Sequence, residues 1–362
     1  MKKNINIYLQ YYLIILFLFS VFFLYQKHDV GNDSTISEWL INYEGGFTRR
    51  GIIGQLSIYL SNIFSMELRD IIFSFQTFIV GIYFILIYNF FRNFKVNRFF
   101  ILSIFTPIFI LYPIAEIEVL ARNEIFIFIY LITYTFIPFN KKKYKFWYKF
   151  FLMPVAVLVW EPIIFFILFF FFIDMVENNL TKINKIFINT LISYIPTFTL
   201  LIFIILNPIS DEEHRVMSEF LKNNFNEACY MSCGLLKNKS SIYQQFQGNF
   251  GKYSLEVFVR YFLIILFGFG PLFILLINSK LKKKIFFFSY FKNLLFPFLI
   301  LLSPVSLLFA MGYDWGRWVN IGYVFSFITF FYIYKKNFLT LSEKFLDHNF
   351  LKKITKIIFI FI

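Results

Sequence analysis

Apolar residues come in blocks of about 20 along the chain, broken by short polar segments. A block of that length crosses a hydrocarbon core as a helix. The pattern predicts ten spans, at 7–26, 71–91, 99–113, 124–139, 150–160, 162–176, 187–206, 256–278, 286–310 and 318–334. The first is too long for a removed signal peptide and lacks a small-residue cleavage site. The fifth and sixth are short and meet at Glu161-Pro162. Because proline removes a helical donor, they are either two half-length helices or one broken helix. The basic, apolar tail 335–362 reads as an amphipathic surface helix or an eleventh span. The predicted class is all-α: a polytopic transmembrane helical bundle of about ten spans, with 1–362 as a single integral membrane domain.

Composition supports this class and excludes a soluble globule. The chain is 59% hydrophobic and 15% charged, with a mean hydropathy of +0.68, too little polar surface to cover a globule of this size. The 58 Phe accompany many Ile, Lys and Asn, which suggests an AT-rich genome, so no single Phe is given functional weight.

Net charge is +14, and its distribution decides its meaning. With the N-terminus and every second loop on one side, that side collects eighteen Lys and Arg, including Lys141–Lys149 and Lys280–Lys284. The short loops of the other side carry six. The bias predicts a cytoplasmic N-terminus and lysine anchors at the inner surface, and it argues against nucleic acid as a partner. The outer side then holds a first loop at 27–70 with juxtamembrane helices, and a long loop at 207–255. Cys229 and Cys233 in the long loop are a local disulfide or two free thiols. Zinc would need more than these and one His, and His214 is expected to be solvated.

The outer loops also gather ionisable residues, which at membrane depth are costly and tend to line a cavity or pathway. Gly45 and Gly46 precede Arg49 and Arg50, an arrangement suited to a turn with exposed amides and two guanidiniums for a phosphate; the alternative is arginines reaching lipid headgroups. Glu44 beside them is a general base or a salt-bridge partner of Arg49 or Arg50. Glu116 and Glu118 could share a divalent cation, or Arg122 could neutralise Glu118 at i, i+4. Glu161, between Trp160 and Pro162, should face the interior and pair with an arginine, or else mark a simple break at the water interface. Asp314-Trp315-Gly316-Arg317-Trp318 sets an acid–base pair between indoles that can anchor at an interface or stack on sugars. No P-loop, G-x-S-x-G, H-E-x-x-H or dinucleotide fingerprint is present.

The stretch Tyr-Glu-Gly-Gly-Phe-Thr-Arg-Arg-Gly-Ile-Ile-Gly at 43–54, with the late Asp-Trp-Gly-Arg at 314–317, resembles bacterial O-antigen and capsule repeat-unit polymerases of the Wzy type. The loop layout is also similar to that of GT-C membrane glycosyltransferases. The resemblance implies a GT-C-like bundle in the bacterial inner membrane, working on its outer face. It would join undecaprenyl-linked oligosaccharide units, or add a sugar from a polyprenyl-phosphate donor, during surface-polysaccharide synthesis. It implies a catalytic carboxylate at Glu44, with Glu161 and Asp314 as the next candidates from the residues themselves. The substrate side would comprise Arg49, Arg50, Gly45, Gly46, Arg122, Glu116, Glu118, Trp315, Arg317 and Trp318. No strict D-x-D occurs, so a divalent cation is not favoured, and no soluble cofactor is needed because the activated lipid carries the leaving group. The implied partners are the bilayer, the lipid-linked oligosaccharide, and a chain-length regulator or flippase. The alternative is a lipid-linked oligosaccharide flippase without glycosyl-transfer chemistry; the lack of a visible repeat favours the enzyme.

Overall fold

The computed structural model describes residues 4–28, 34–92, 94, 98–237, 241–251 and 253–342; most of the tail for which a surface helix or eleventh span is expected, 343–362, lies outside them. The described chain is all-α apart from one small ribbon. Helix α1 is Asn4–His28, followed by the short α2, Ser34–Glu38, then α3, Gly51–Phe64, and α4, Leu68–Phe91. Next come α5 (Arg98–Ile104), a π-helical turn at Pro107–Leu111, α6 (Tyr112–Ala115) and α7 (Glu124–Phe136). Among the described residues, four segments are long and apolar enough to cross a membrane: Ile7–His28, Leu68–Phe91, Lys185–Leu206 and Leu255–Ile277. Shorter apolar helices include Phe99–Ala115, Glu124–Phe136 and Leu295–Met311.

The Glu161-Pro162 junction is a reversal between two helices. Helix α8, Lys142–Val159, ends at Trp160, and a 3-10 segment, Glu161–Phe166, leads into α9, Ile167–Asn178. The two helices lie antiparallel, because Lys145 near the start of α8 meets Glu177 near the end of α9, and Lys149 meets Asp174. Helix α8 starts eight residues before the predicted span. Lys145 and Lys149, expected as surface anchors, are buried instead, and their charges are balanced by Glu177 and Asp174. A buried ammonium persists only with such a partner.

Beyond α9 lie α10 (Lys185–Ile192) and α11 (Ile195–Leu206), then a polar segment with α12 (Asp211–Phe225), α13 (Met231–Gly234) and α14 (Ile242–Phe250). Ser210 and Glu213 form a reciprocal capping box that starts α12, and three acids fill its first turn, where they oppose the helix dipole. Helix α15, Leu255–Ile277, is followed by β1, Ser279–Leu281. Then come α16 (Leu295–Leu302), α17 (Ser306–Met311), α18 (Trp315–Lys335) and β2 (Leu339–Leu341). The strands β1 and β2 pair antiparallel, Lys280 opposite Thr340. Helix α18 is buried along nearly its whole length. Its Asn320 amide donates to the carbonyls of Ile108 (2.7 Å) and Phe109 (2.8 Å), which satisfies backbone groups of the π-helical turn. Asn320 thereby fixes α18, and with it Arg317 one turn earlier, against the helices that carry the site.

Candidate functional site

At one end of the bundle, five short segments bring their charges into one cluster. Its centre is Glu38, the last residue of α2, whose side chain is fully buried. Glu38 is held in place by its neighbours: the Trp39 indole donates to the Ala121 carbonyl at 3.0 Å, and the backbone N–H of Ser232 donates to the Ser37 hydroxyl at 2.9 Å. Glu38 Oε1 accepts from Arg122, and lies 3.5 Å from both Arg50 Nη1 and Arg317 Nη2. Its Oε2 faces the Asn123 backbone N–H at 3.3 Å. Burial alone would push this carboxyl up, but the Arg122, Arg317 and Arg50 guanidiniums outweigh it and bring it down to about 2.

The cluster extends to either side of Glu38. Arg50 grips Glu161 with its fork, Nε to Oε2 at 2.7 Å and Nη2 to Oε1 at 2.8 Å, and Arg49 reaches the same acid at 3.2 Å. On the other flank Arg317 pairs with Glu124 and, at 3.0 Å, with Asp314. Four guanidiniums and four carboxylates therefore form one continuous chain from Arg49 to Asp314. The two ends are the accessible parts: the side chains of Arg49 and Asp314 are 40% and 56% exposed. Arg50 has a left-handed φ of 64°, which costs a non-glycine residue about 1–2 kcal/mol. Its two bonds to Glu161 offset that cost.

Several donors around the cluster have no partner. Trp160 Nε1, Trp318 Nε1, Arg122 Nε and Asn123 Nδ2 are all buried and unpaired among the described residues. The Trp160 and Trp318 rings lie 6.2 Å apart, and the Arg317 guanidinium sits 5.0 Å from the Trp318 ring centre. Buried donors without acceptors are uncommon in folded proteins. The cavity that touches this region, lined in part by Arg122, Glu124 and Arg317, has a volume of about 30 Å³, room for a water.

The cluster contains Arg49, Arg50, Arg122, Glu161, Asp314 and Arg317. Glu44 stands apart: it is exposed, and its Oε1 accepts from the Gln55 amide at 2.9 Å. Gly45 and Gly46 do not form an open anion nest, because α12 covers them. A Cβ on Gly45 would sit 1.8 Å from the Glu213 carbonyl oxygen, and Gly46, at φ +133°, packs against the Glu213 carboxylate. Their small size admits α12. Glu116 and Glu118 are exposed, with Lys27 3.6 Å from Glu118, while Arg122 turns to Glu38. Trp315 and Trp318 are buried, so neither indole offers an open face for a sugar. Trp315 lies beneath Tyr253, ring centroids 4.5 Å apart.

Glu38 is the member that sequence reasoning missed; Glu124 falls among the loop residues expected to gather on this face, without a role of its own. Glu38 had a signal: it is an acid inside the apolar stretch Ile36–Ile41, the same argument that singled out Glu161. In the long loop, Cys229 and Cys233 are joined in a disulfide. His214, expected to be solvated, is buried beside them, its Nε2 3.2 Å from Cys229 Sγ and from the Cys233 carbonyl oxygen. Burial pushes its ring below the usual range, so it is neutral at pH 7. These three are the one group among the described residues with donor atoms close enough for a metal, and the disulfide occupies both sulfurs. Compared with known protein families, with curated proteins and with solved structures, the chain matches none.

Proposed function

We propose that the protein is a membrane-embedded glycosyltransferase that extends a lipid-linked saccharide at the face carrying the arginine–carboxylate cluster. The observation that carries this reading is the continuous ion chain from Arg49 to Asp314, bordered by unpaired buried donors. A buried array of this kind is preorganised to stabilise charge that develops during a reaction. In this reading the shorter apolar helices complete ten passes in a GT-C-like layout. The lysine-rich end faces the cytoplasm of a bacterial inner membrane, and the cluster faces outward.

The half-exposed Arg49 and its neighbour Arg50 hold the pyrophosphate of a polyprenyl-linked donor, for which a guanidinium fork is suited. Asp314 takes the role of base in place of Glu44, which among the described residues pairs with no arginine. The acceptor hydroxyl gives its proton to Asp314, and its oxygen bonds to the anomeric carbon. The bond from that carbon to the phosphate oxygen breaks, and the departing pyrophosphate keeps the electron pair, with the arginines stabilising its charge. Chain length would be set by a partner protein.

The test is reconstitution in vesicles with a pool of lipid-linked oligosaccharide. Lengthened products are expected from the native protein and are expected to vanish with Asp314→Asn and Arg49→Ala. Movement of the lipid between leaflets with no lengthening would replace this reading with transport.

A further inference from the structure

A second charged site lies at the opposite end of the bundle, and the proposed reaction does not use it. Lys145 and Glu161 lie sixteen positions apart along α8 and its junction with the 3-10 segment, ~24 Å at helical rise. There a cavity of 440 Å³ opens between α8, α9 and α10. That volume falls within the range of small-molecule sites, about 300–1,000 Å³. Its floor is made by two buried pairs, Lys145 with Glu177 and Lys149 with Asp174, which cancel each other's charge. Its rim carries Lys142 and Lys143, both exposed and in no ion pair among the described residues. The cavity therefore keeps two uncompensated positive charges. The floor ammoniums are engaged further: Lys145 also reaches the Tyr332 hydroxyl at 3.4 Å and Lys149 lies over the Tyr194 ring at 4.7 Å, so the charge offered to an occupant is that of the rim.

The flank of the cavity is apolar. Trp147 and Ile186 line it and are 42% and 38% exposed, and Phe151, one helical turn from Trp147, is 60% exposed. An occupant that satisfies both features has an anionic head and apolar chains. We infer that this cavity binds the phosphodiester headgroup of an anionic phospholipid, with the acyl chains laid along Trp147 and Phe151. Basic pockets between membrane helices at the lysine-rich surface suit such headgroups. The lysines at 142–149 are thus more than surface anchors: two build the floor of a site and two supply its charge.

Native mass spectrometry of the delipidated full-length protein tests this inference, with a phosphatidylglycerol titrated against a phosphatidylcholine of the same chains. One phosphatidylglycerol is expected to bind with at least a ~10-fold preference, and the Lys142→Gln/Lys143→Gln protein is expected to lose that preference. Both lysines are exposed, so this variant should keep the fold. A Lys283→Gln/Lys284→Gln control, at exposed lysines outside the cavity, should keep the preference. Equal retention of the two lipids, equal loss in the control, or displacement of the lipid by millimolar inorganic phosphate would each overturn the assignment. Saccharide lengthening depends on the far end of the bundle, so its presence or absence does not bear on this result.

Discussion

The Arg50 guanidinium meets Glu161 through both arms of its fork, Nε at 2.7 Å from Oε2 and Nη2 at 2.8 Å from Oε1, while its Nη1 faces Glu38 at 3.5 Å. One side chain thus joins the two carboxylates that come from opposite halves of the site. It also restrains a left-handed residue at the start of α3.

Lysine cannot reproduce a two-armed grip. Arg50→Lys keeps the charge and gives up one charged hydrogen bond, a loss of about 1.5–3 kcal/mol. Arg50→Ala leaves Glu161 buried with only Arg49 beside it and should cost about 3–5 kcal/mol. Thermal unfolding of the purified protein in nanodiscs should rank the three as native, Lys, Ala. A Lys variant as stable as the native protein would mean that the fork is not engaged.

Glu38 and Glu44 lie six residues apart, and their environments predict opposite sensitivities. Glu38→Gln leaves three guanidiniums around a neutral amide and should destabilise by about 3–5 kcal/mol. Glu44→Gln changes an exposed side chain that holds a neutral partner, and should stay within about 0.5 kcal/mol. Comparable losses in the two variants would show that the buried charge is not centred on Glu38.

The depressed Glu38 carboxyl makes this contribution depend on pH. Its folded value of about 2 lies below the ordinary carboxylate value of about 4.3. Between those values the unfolded chain binds the proton and the folded chain does not, so stability rises with pH. The contribution is complete above about pH 5 and fades as pH falls toward 2, about 3 kcal/mol in all. The stability gap between native and Glu38→Gln proteins should therefore be flat from pH 8 to about 5 and close below that. A gap that persists unchanged at pH 2.5 would contradict the charge-based account.

The helical class and the long apolar segments were legible because a bilayer demands runs that composition cannot hide. Glu161 was legible for a related reason: an acid between Trp160 and Pro162 must find a counter-charge. What the sequence concealed was choice of partner. Arg122 has Glu118 at helical spacing, yet a left-handed Ala121 (φ 54°) and the Trp39–Ala121 bond deliver it to Glu38, 84 residues away. Gly45 and Gly46 misled because one sequence signature serves two ends: glycine exposes backbone to a ligand, or admits a neighbouring helix, and here α12 fills the space. Lys145 and Lys149 misled likewise, since their acids lie in a different helix, out of reach of any local pattern.

The disulfide gives the polar segment 207–255 a mechanical link to the cluster. Cys233 is buried with Ile41, Ile209, Met217 and Leu236, and the adjacent Ser232 N–H holds the hydroxyl of Ser37, the residue before Glu38. The ring it closes is small, so the bond should contribute only about 2 kcal/mol to overall stability. Its local effect should be larger, because α13 is a single turn that cannot hold its shape alone. In a Cys229→Ser/Cys233→Ser protein, hydrogen exchange should quicken at 34–42 and 229–236 while α4 and α18 keep native protection. If lengthening activity depends on Glu38 being fixed, it should fall in parallel with protection at 34–42. Native exchange at 34–42 in the Ser/Ser protein would show that α13 docks without its cross-link and that the loop exerts no hold on the site.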